Sequence, residues 1–211
     1  MNNLTIGIVS TRQNINDKEY ECVSVNNLRY FNNKCNTIGI MMHDNYNSFD
    51  NNVIKCCDGI VFQGGTDIFL YHYKILEYAI NNNIPVLGIC MGHQIIGLYS
   101  NNKGEESLVK VNNHYNRMHK ININKDSILY YLFGNEMLVN SRHKFVLEDV
   151  SYPFIISAKS DDNYIEAIEY IDDNHFVLGV QFHPEDLDNM DNLYNYFIKE
   201  CLVRKRKREL N

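Results

Sequence analysis

Four short runs of this 211-residue chain are apolar without alternation: Leu4 to Ser10, Thr37 to Met42, Gly59 to Phe62 and Pro85 to Cys90. A strand with one face in water alternates, so unbroken runs predict strands covered on both faces. Helical patterns lie between them. Tyr20 to Phe31 fits a helix weakly, Tyr71 to Asn81 fits it strongly, and Phe49 to Cys57 and Met91 to Tyr99 complete the set. Strand alternating with helix predicts a mainly parallel central sheet with helices on both sides, a three-layer α/β sandwich. After Asn101 the pieces shorten: Ser107 to Val111, Arg117 to Ile123, a helical turn near Ser127 to Phe133, and Met137 to Ser141. Phe154 to Ser160, Tyr164 to Tyr170 and Phe176 to Phe182 are spaced as a small antiparallel β extension, with Asp161-Asp162-Asn163 and Asp172-Asp173-Asn174 as turns. A last helix from about Asp188 to Val203 closes the unit.

The length, with 45% hydrophobic and 22% charged residues, predicts one domain over residues 1–203 and a basic tail over 204–211. The run Arg204-Lys205-Arg206-Lys207-Arg208 reads as a solvated, fraying helix end. A net charge of -6, spread along the chain, argues against nucleic acid as a partner. No run approaches the roughly 20 apolar residues of a bilayer span, and Met1 to Ser10 reads as a strand rather than a signal segment. The expectation is a soluble cytoplasmic protein with no membrane association. Six cysteines lack zinc or disulfide spacing and are expected to be reduced; five read as small buried residues. Cys90 differs because of its neighbours.

Gly88-Ile89-Cys90-Met91-Gly92 stands where a buried strand hands over to a helix, the form of a nucleophile elbow. A sharp turn there holds the nucleophile in a strained conformation at the carboxyl end of the strand. The same position is a helix N-terminus, whose unpaired N–H groups favour negative charge, and the Met91 N–H becomes one oxyanion donor. Gln63-Gly64-Gly65-Thr66 follows another strand at the same sheet edge, so its backbone offers a second donor. Downstream, Gly179-Val180-Gln181-Phe182-His183-Pro184-Glu185 sets a base, a rigid proline and a carboxylate just past the last strand. A cysteine nucleophile needs such a base, and the base needs an orienting partner.

Gly88-Ile89-Cys90-Met91-Gly92-His93-Gln94 together with Gly179 to Glu185 resembles the class I glutamine amidotransferase superfamily, over most of the chain and in the expected order. Val139-Asn140-Ser141-Arg142-His143, Ile165-Glu166-Ala167 and Val177-Leu178-Gly179-Val180 are similar to the peptidase C26-like branch of γ-glutamyl-γ-aminobutyrate and folate γ-glutamyl hydrolases. The resemblance implies the flavodoxin-like fold of that superfamily and a catalytic set of Cys90, His183 and Glu185. It implies oxyanion donors at Met91 and Gly65, and Gly64, Gln94 and His143 at the substrate. Arg142, Lys144 and Phe145 depart from the branch around His143, and His93 is expected to be structural. His114 and His119 read as surface or satisfied histidines, since their spacing is not a metal arrangement; His43, His72 and His175 carry no message, and no metal or cofactor is expected.

The function this implies is hydrolysis of a small-molecule γ-glutamyl amide through a glutamyl thioester, releasing glutamate and an amine. The alternative is a glutaminase subunit supplying ammonia to a separate synthetase; a homodimer is the other protein partnership left open. Relatives in the hydrolase branch carry a long loop after the glycine pair, whereas Thr66-Asp67-Ile68 runs almost directly into the next helix. A shorter lip predicts a more open mouth.

Overall fold

In the computed structural model the continuous apolar runs become adjacent parallel strands of one sheet. Residues 4–41, 51–172 and 174–210 are described. Met1 to Asn3, Met42, His43, Phe49, Asp50 and Asp173 lie outside them, with the parts of the expected strand, helix and turn that they carry. The first half supplies β1 (Thr5–Val9), β2 (Thr11–Ile15), β3 (Lys18–Cys22), α1 (Val25–Arg29), β4 (Asn36–Ile40), α2 (Asn51–Lys55), β5 (Gly59–Phe62), α3 (Leu70–Asn81), β6 (Val86–Ile89) and α4 (Met91–Ser100). The second supplies β7 (Val109–Lys110), β8 (Tyr115–Ile123), α5 (Ile128–Phe133), β9 (Glu136–Arg142), β10 (Phe145–Val146), β11 (Phe154–Ser160), β12 (Ile165–Tyr170), β13 (Val177–Val180) and α6 (Asp191–Leu210).

Nine strands form the main sheet in the order β4-β1-β5-β6-β13-β12-β11-β8-β9. The pairs from β4 to β13 are parallel. Those from β13 to β9 are antiparallel, so the meander expected near the C-terminus extends the same sheet rather than forming a separate one. Successive residues of β1, β5, β6 and β13 feed opposite cores, whereas the edge strand β4 is exposed at Asn36, Thr37 and Gly39 and lacks the expected cover on both faces. Ile60 and Val86 pack with Tyr71, Ile75 and Ile95 on the α3–α4 side. Val61 and Leu87 pack with Phe31, Tyr194 and Phe197 on the α1–α6 side. That alternation is why these strands read as unbroken apolar runs.

The stretch Tyr20 to Phe31 is not one helix. β2 and β3 pair as a hairpin whose register closes at Ile15 and Lys18. Asn16 and Asp17, at φ 52° and 60°, form the two-residue turn. That left-handed pair matches the twist of flanking strands, so turn chemistry overrides a weak helical period and leaves only Val25–Arg29 helical. The basic run also departs from expectation, because α6 continues through it to Leu210. Arg204 is 6% exposed, pairs with Glu200 and donates to the Asn174 carbonyl at 3.2 Å. Lys205 and Arg208 both reach Asp58, at 3.0 and 3.4 Å, which docks the helix end beneath β5 instead of letting it fray.

Candidate functional site

Three loops leave the carboxyl ends of neighbouring parallel strands and converge. The register pairs Phe62 of β5 with Gly88 of β6, and Ile89 of β6 with Val180 of β13. The residues just beyond these ends, Gln63 to Gly65, Cys90 and Gln181 to Glu185, therefore share one edge, the place where open α/β sheets present ligands.

Cys90 is 7% exposed and is the N-cap of α4, at φ 52° and ψ -99°. A residue with a Cβ in that region stores about 1–3 kcal/mol of strain, held by the strand before it and the helix after it. Its N–H donates to Val180 O at 2.8 Å and its carbonyl accepts from Gln94 N at 3.1 Å. The flanking glycines are steric requirements. A Cβ on Gly92 would lie 2.4 Å from the Phe62 carbonyl oxygen, and one on Gly88 would lie 2.7 Å from the Gly92 carbonyl.

The glycine-pair loop is fixed by the 2%-exposed Gln63. Its Oε1 accepts from Ser24 N at 2.9 Å and Asn27 Nδ2 at 3.1 Å. Its Nε2 donates to the carbonyls of Val9 at 3.1 Å and Cys22 at 2.7 Å. Gly64 then lies against both other loops: a Cβ there would sit 2.6 Å from His183 Cε1 and 3.5 Å from Cys90 Cβ. Gly65 adjoins the Met91 side chain, with a built Cβ 3.0 Å from its Sδ.

His183 opens the short turn Pro184–Asp186, and its Nδ1 lies 2.7 Å from Glu185 Oε1. Burial alone would lower the imidazole, but hydrogen bonds and charge from Cys90 and Glu185 outweigh it and push His183 up to about 9. Asn140 of β9 clamps the main chain on both sides, donating to His183 O at 2.8 Å and accepting from His183 N at 2.7 Å. Asp186 pairs with Arg142 and Asn26, and Tyr30 donates to Leu187 O at 2.9 Å. The structure thus brings the three expected side chains together beside the glycine pair.

The expected substrate residues are more tied to the protein. Gln94 donates to Phe145 O at 2.9 Å and to Gln181 Oε1 at 3.3 Å. His143 is 3% exposed and its Nε2 faces Glu166 Oε1 at 3.5 Å. His93 is fully buried, and burial pushes it down to about 4 against the raising pull of Glu166. His114 and His119, 1% and 8% exposed, are not surface residues, and they too face Glu166. Sequence patterns give neither Asn140 nor Glu166 a duty. The only signal available is their place inside segments that resemble the hydrolase branch.

A model of the peptidase C26 family matches residues 70–185. That is more than half the chain. This protein belongs to the peptidase C26 family, within the class I glutamine amidotransferase superfamily. It is therefore a member of a family of cysteine-type amidohydrolases and glutaminases. It is 35% identical over 127 residues to the glutamine-hydrolysing GMP synthase subunit of Methanosphaera stadtmanae, covering 60% of this chain and 64% of that one. The chain thus aligns with slightly less than two thirds of that relative. The corresponding subunit of Picrophilus torridus is 29% identical over 162 residues, 74% of this chain and 82% of that one. A Thermoplasma acidophilum crystal structure described as the same GMP synthase subunit superposes with a TM-score of 0.75 over 99% of both chains, at 20% identity, a likeness of fold.

Proposed function

We propose that this family member is a glutaminase that cleaves the side-chain amide of glutamine at Cys90 and supplies the ammonia to a synthetase partner. The observation that carries the reading is the convergence of a cysteine on a positive-φ elbow with an imidazole bonded to a carboxylate. The choice of glutamine over other γ-glutamyl amides rests on the relatives from GMP synthases, whose names specify glutamine hydrolysis within a GMP-forming enzyme.

In this mechanism Cys90 sulfur gives its proton to His183 and attacks the γ-carbonyl carbon. The oxygen takes up charge at the N–H groups of Met91 and Gly65. As the C–N bond breaks, His183 returns the proton to the departing nitrogen and ammonia leaves a glutamyl thioester. Water, deprotonated by His183, displaces the sulfur and releases glutamate. Glu185 holds the imidazole tautomer and its charge throughout. Gly64, Gln94 and His143 shape the glutamyl end, Gln94 by tying α4 to β10.

A second reading, hydrolysis of a larger γ-glutamyl amide by the chain alone, draws on the lip: only Thr66 to Phe69 separate the glycine pair from α3. The test mixes the purified chain with glutamine, with a panel of γ-glutamyl amides, and with glutamine plus a synthetase of the GMP synthase type and its nucleotide substrates. Glutamate release from glutamine that rises on adding the synthetase is expected. Fast cleavage of other amides with no response to the synthetase would replace the first reading with the second.

A further inference from the structure

Glu166 of β12 is 0% exposed, and neither of its carboxylate oxygens has an aligned hydrogen bond among the described residues. A buried carboxylate left in that state costs several kcal/mol unless positive charge meets it. Three imidazoles from other segments converge on its Oε1. His119 Nε2 of β8 stands at 3.1 Å, His114 Nδ1 at 3.5 Å and His143 Nε2 at 3.5 Å.

The orientation of His114 sharpens the problem. Its Nε2 lies 2.9 Å from Oδ2 of Asp162, which also accepts from Ser160 Oγ at 2.6 Å through Oδ1. Asp162 accepts only, so Nε2 carries a proton and Nδ1 is the atom aimed at Glu166. At 3.5 Å this nitrogen stands beyond charge-assisted hydrogen-bonding range of Oε1, and a cation between the two atoms would engage both. Imidazolium N–H groups bonded to Glu166 would come nearer to about 2.8 Å and align with the oxygen. A tetrahedral divalent ion with bonds of about 2.05 Å holds its ligand atoms about 3.3 Å apart, close to the 3.5 Å that separates Oε1 from each of the His114 and His143 nitrogens. The His114–Asp162 bond is also the outer contact that orients metal-bound histidines. Ligand atoms of His114, His143 and Glu166 all lie within 4.8 Å of one another.

We propose that His114, His143 and Glu166 bind a divalent cation of the zinc class, with His119 beside them against Glu166. This site contains none of Cys90, His183 and Glu185, shares His143 with the proposed glutamyl pocket, and does not depend on which amide is cleaved. It would cross-link β8, the end of β9 and β12, and β9 carries the Asn140 clamp on His183. Ser141, next to that clamp, donates to the His114 carbonyl and links the two regions.

The test strips the purified full chain with a chelator and titrates it with cobalt(II), which reports coordination through visible absorption, then displaces it with zinc. One equivalent per chain is expected, and the spectrum should persist in a Cys90→Ala, His183→Ala double variant that removes the donors of the Cys90 set. Glu166→Gln should weaken binding by at least about 100-fold, and Asp162→Asn, half-exposed and outside the ligand set, by about 10- to 100-fold. Zinc should raise the melting midpoint of the wild type and not that of Glu166→Gln. If Glu166→Gln does not fold, Asp162→Asn decides. Absence of stoichiometric cobalt, or a spectrum that vanishes in the double variant and survives loss of Glu166 or Asp162, would overturn the proposal and leave a proton-sharing network.

Discussion

Gly64→Ala tests the site through one added methyl group. The new Cβ would lie 2.6 Å from His183 Cε1, against the 3.4–4 Å of ordinary contact, so something must move by about 1 Å. The loop is poorly able to yield, because Gln63 anchors it through four hydrogen bonds to four different residues. The His183 main chain is equally held, by Asn140 from both sides. The ring must therefore turn, and its 2.7 Å bond to Glu185 is stretched beyond hydrogen-bonding range.

A misplacement of about 1 Å costs on the order of 100-fold in rate, about 2.7 kcal/mol of transition-state stabilisation. The assay is the rate at which an electrophilic glutamine analogue labels Cys90, with the melting transition as the control for folding. Gly65→Ala is the comparison. There the added Cβ meets Thr11 and the flexible end of Met91, so a loss of about tenfold or less is expected. A cooperatively folded Gly64→Ala protein that labels at the wild-type rate would refute the claim that the glycine pair sets the position of the imidazole.

Cys90→Gly should abolish labelling and glutamate release while raising stability by about 1 kcal/mol, since glycine accepts φ 52° without strain; calorimetry reads the shift. Gln63→Ala should destabilise by about 3 kcal/mol in urea melts, because it strips partners from buried groups of four residues. Glu185→Gln should shift the alkaline limb of Cys90 labelling downward, because the partners that hold His183 near 9 are then incomplete. In the wild type the His183 pairing contributes stability that is fully present below pH 6.5 and is lost as pH rises through about 9; a pH series of melts of both proteins measures it. Burial, against the lowering effect of the Ile128 N–H, pushes Glu169 up to about 7, so the folded state binds this proton more tightly than the unfolded chain does. Stability should therefore fall between about pH 4.5 and pH 7, and Glu169→Gln should recover about 3 kcal/mol at pH 8 and little at pH 4; melts that show no such pH-dependent gain would contradict it.

The inner parallel strands were legible because burial on both faces leaves β5, β6 and β13 without a polar residue and β1 with none after Thr5. Cys90 and His183 were legible for a related reason: an elbow needs glycines where backbones meet, and a short turn needs its proline. Each requirement is local and falls within seven residues. What stayed hidden was set by contacts between distant segments. The β2–β3 hairpin turns on Asn16 and Asp17, and asparagine recurs throughout this chain, so the one pair that matters has no contrast. The basic run gains its partners from Asp58, Asn83 and Asn174, none of which has a sequence pattern pointing to α6.

The histidine cluster is the extreme case. Residues 114, 119, 143 and 166 occupy two strands and two loops of an antiparallel extension, and spacing along one element carries no trace of them. Only pairing does: Tyr115 opposite Arg142 brings the flanking His114 and His143 level at one end of β8–β9, and β12 passes beside the same end. A buried carboxylate at that crossing demands positive charge whichever form supplies it. It follows that Glu166→Gln and Glu166→Ala, which both leave the imidazoles without a counter-charge, should each destabilise the chain by about 3–5 kcal/mol in denaturant melts. Wild-type stability of Glu166→Gln, which keeps the side chain's size and removes its charge, would mean that the histidines do not feel the charge of Glu166.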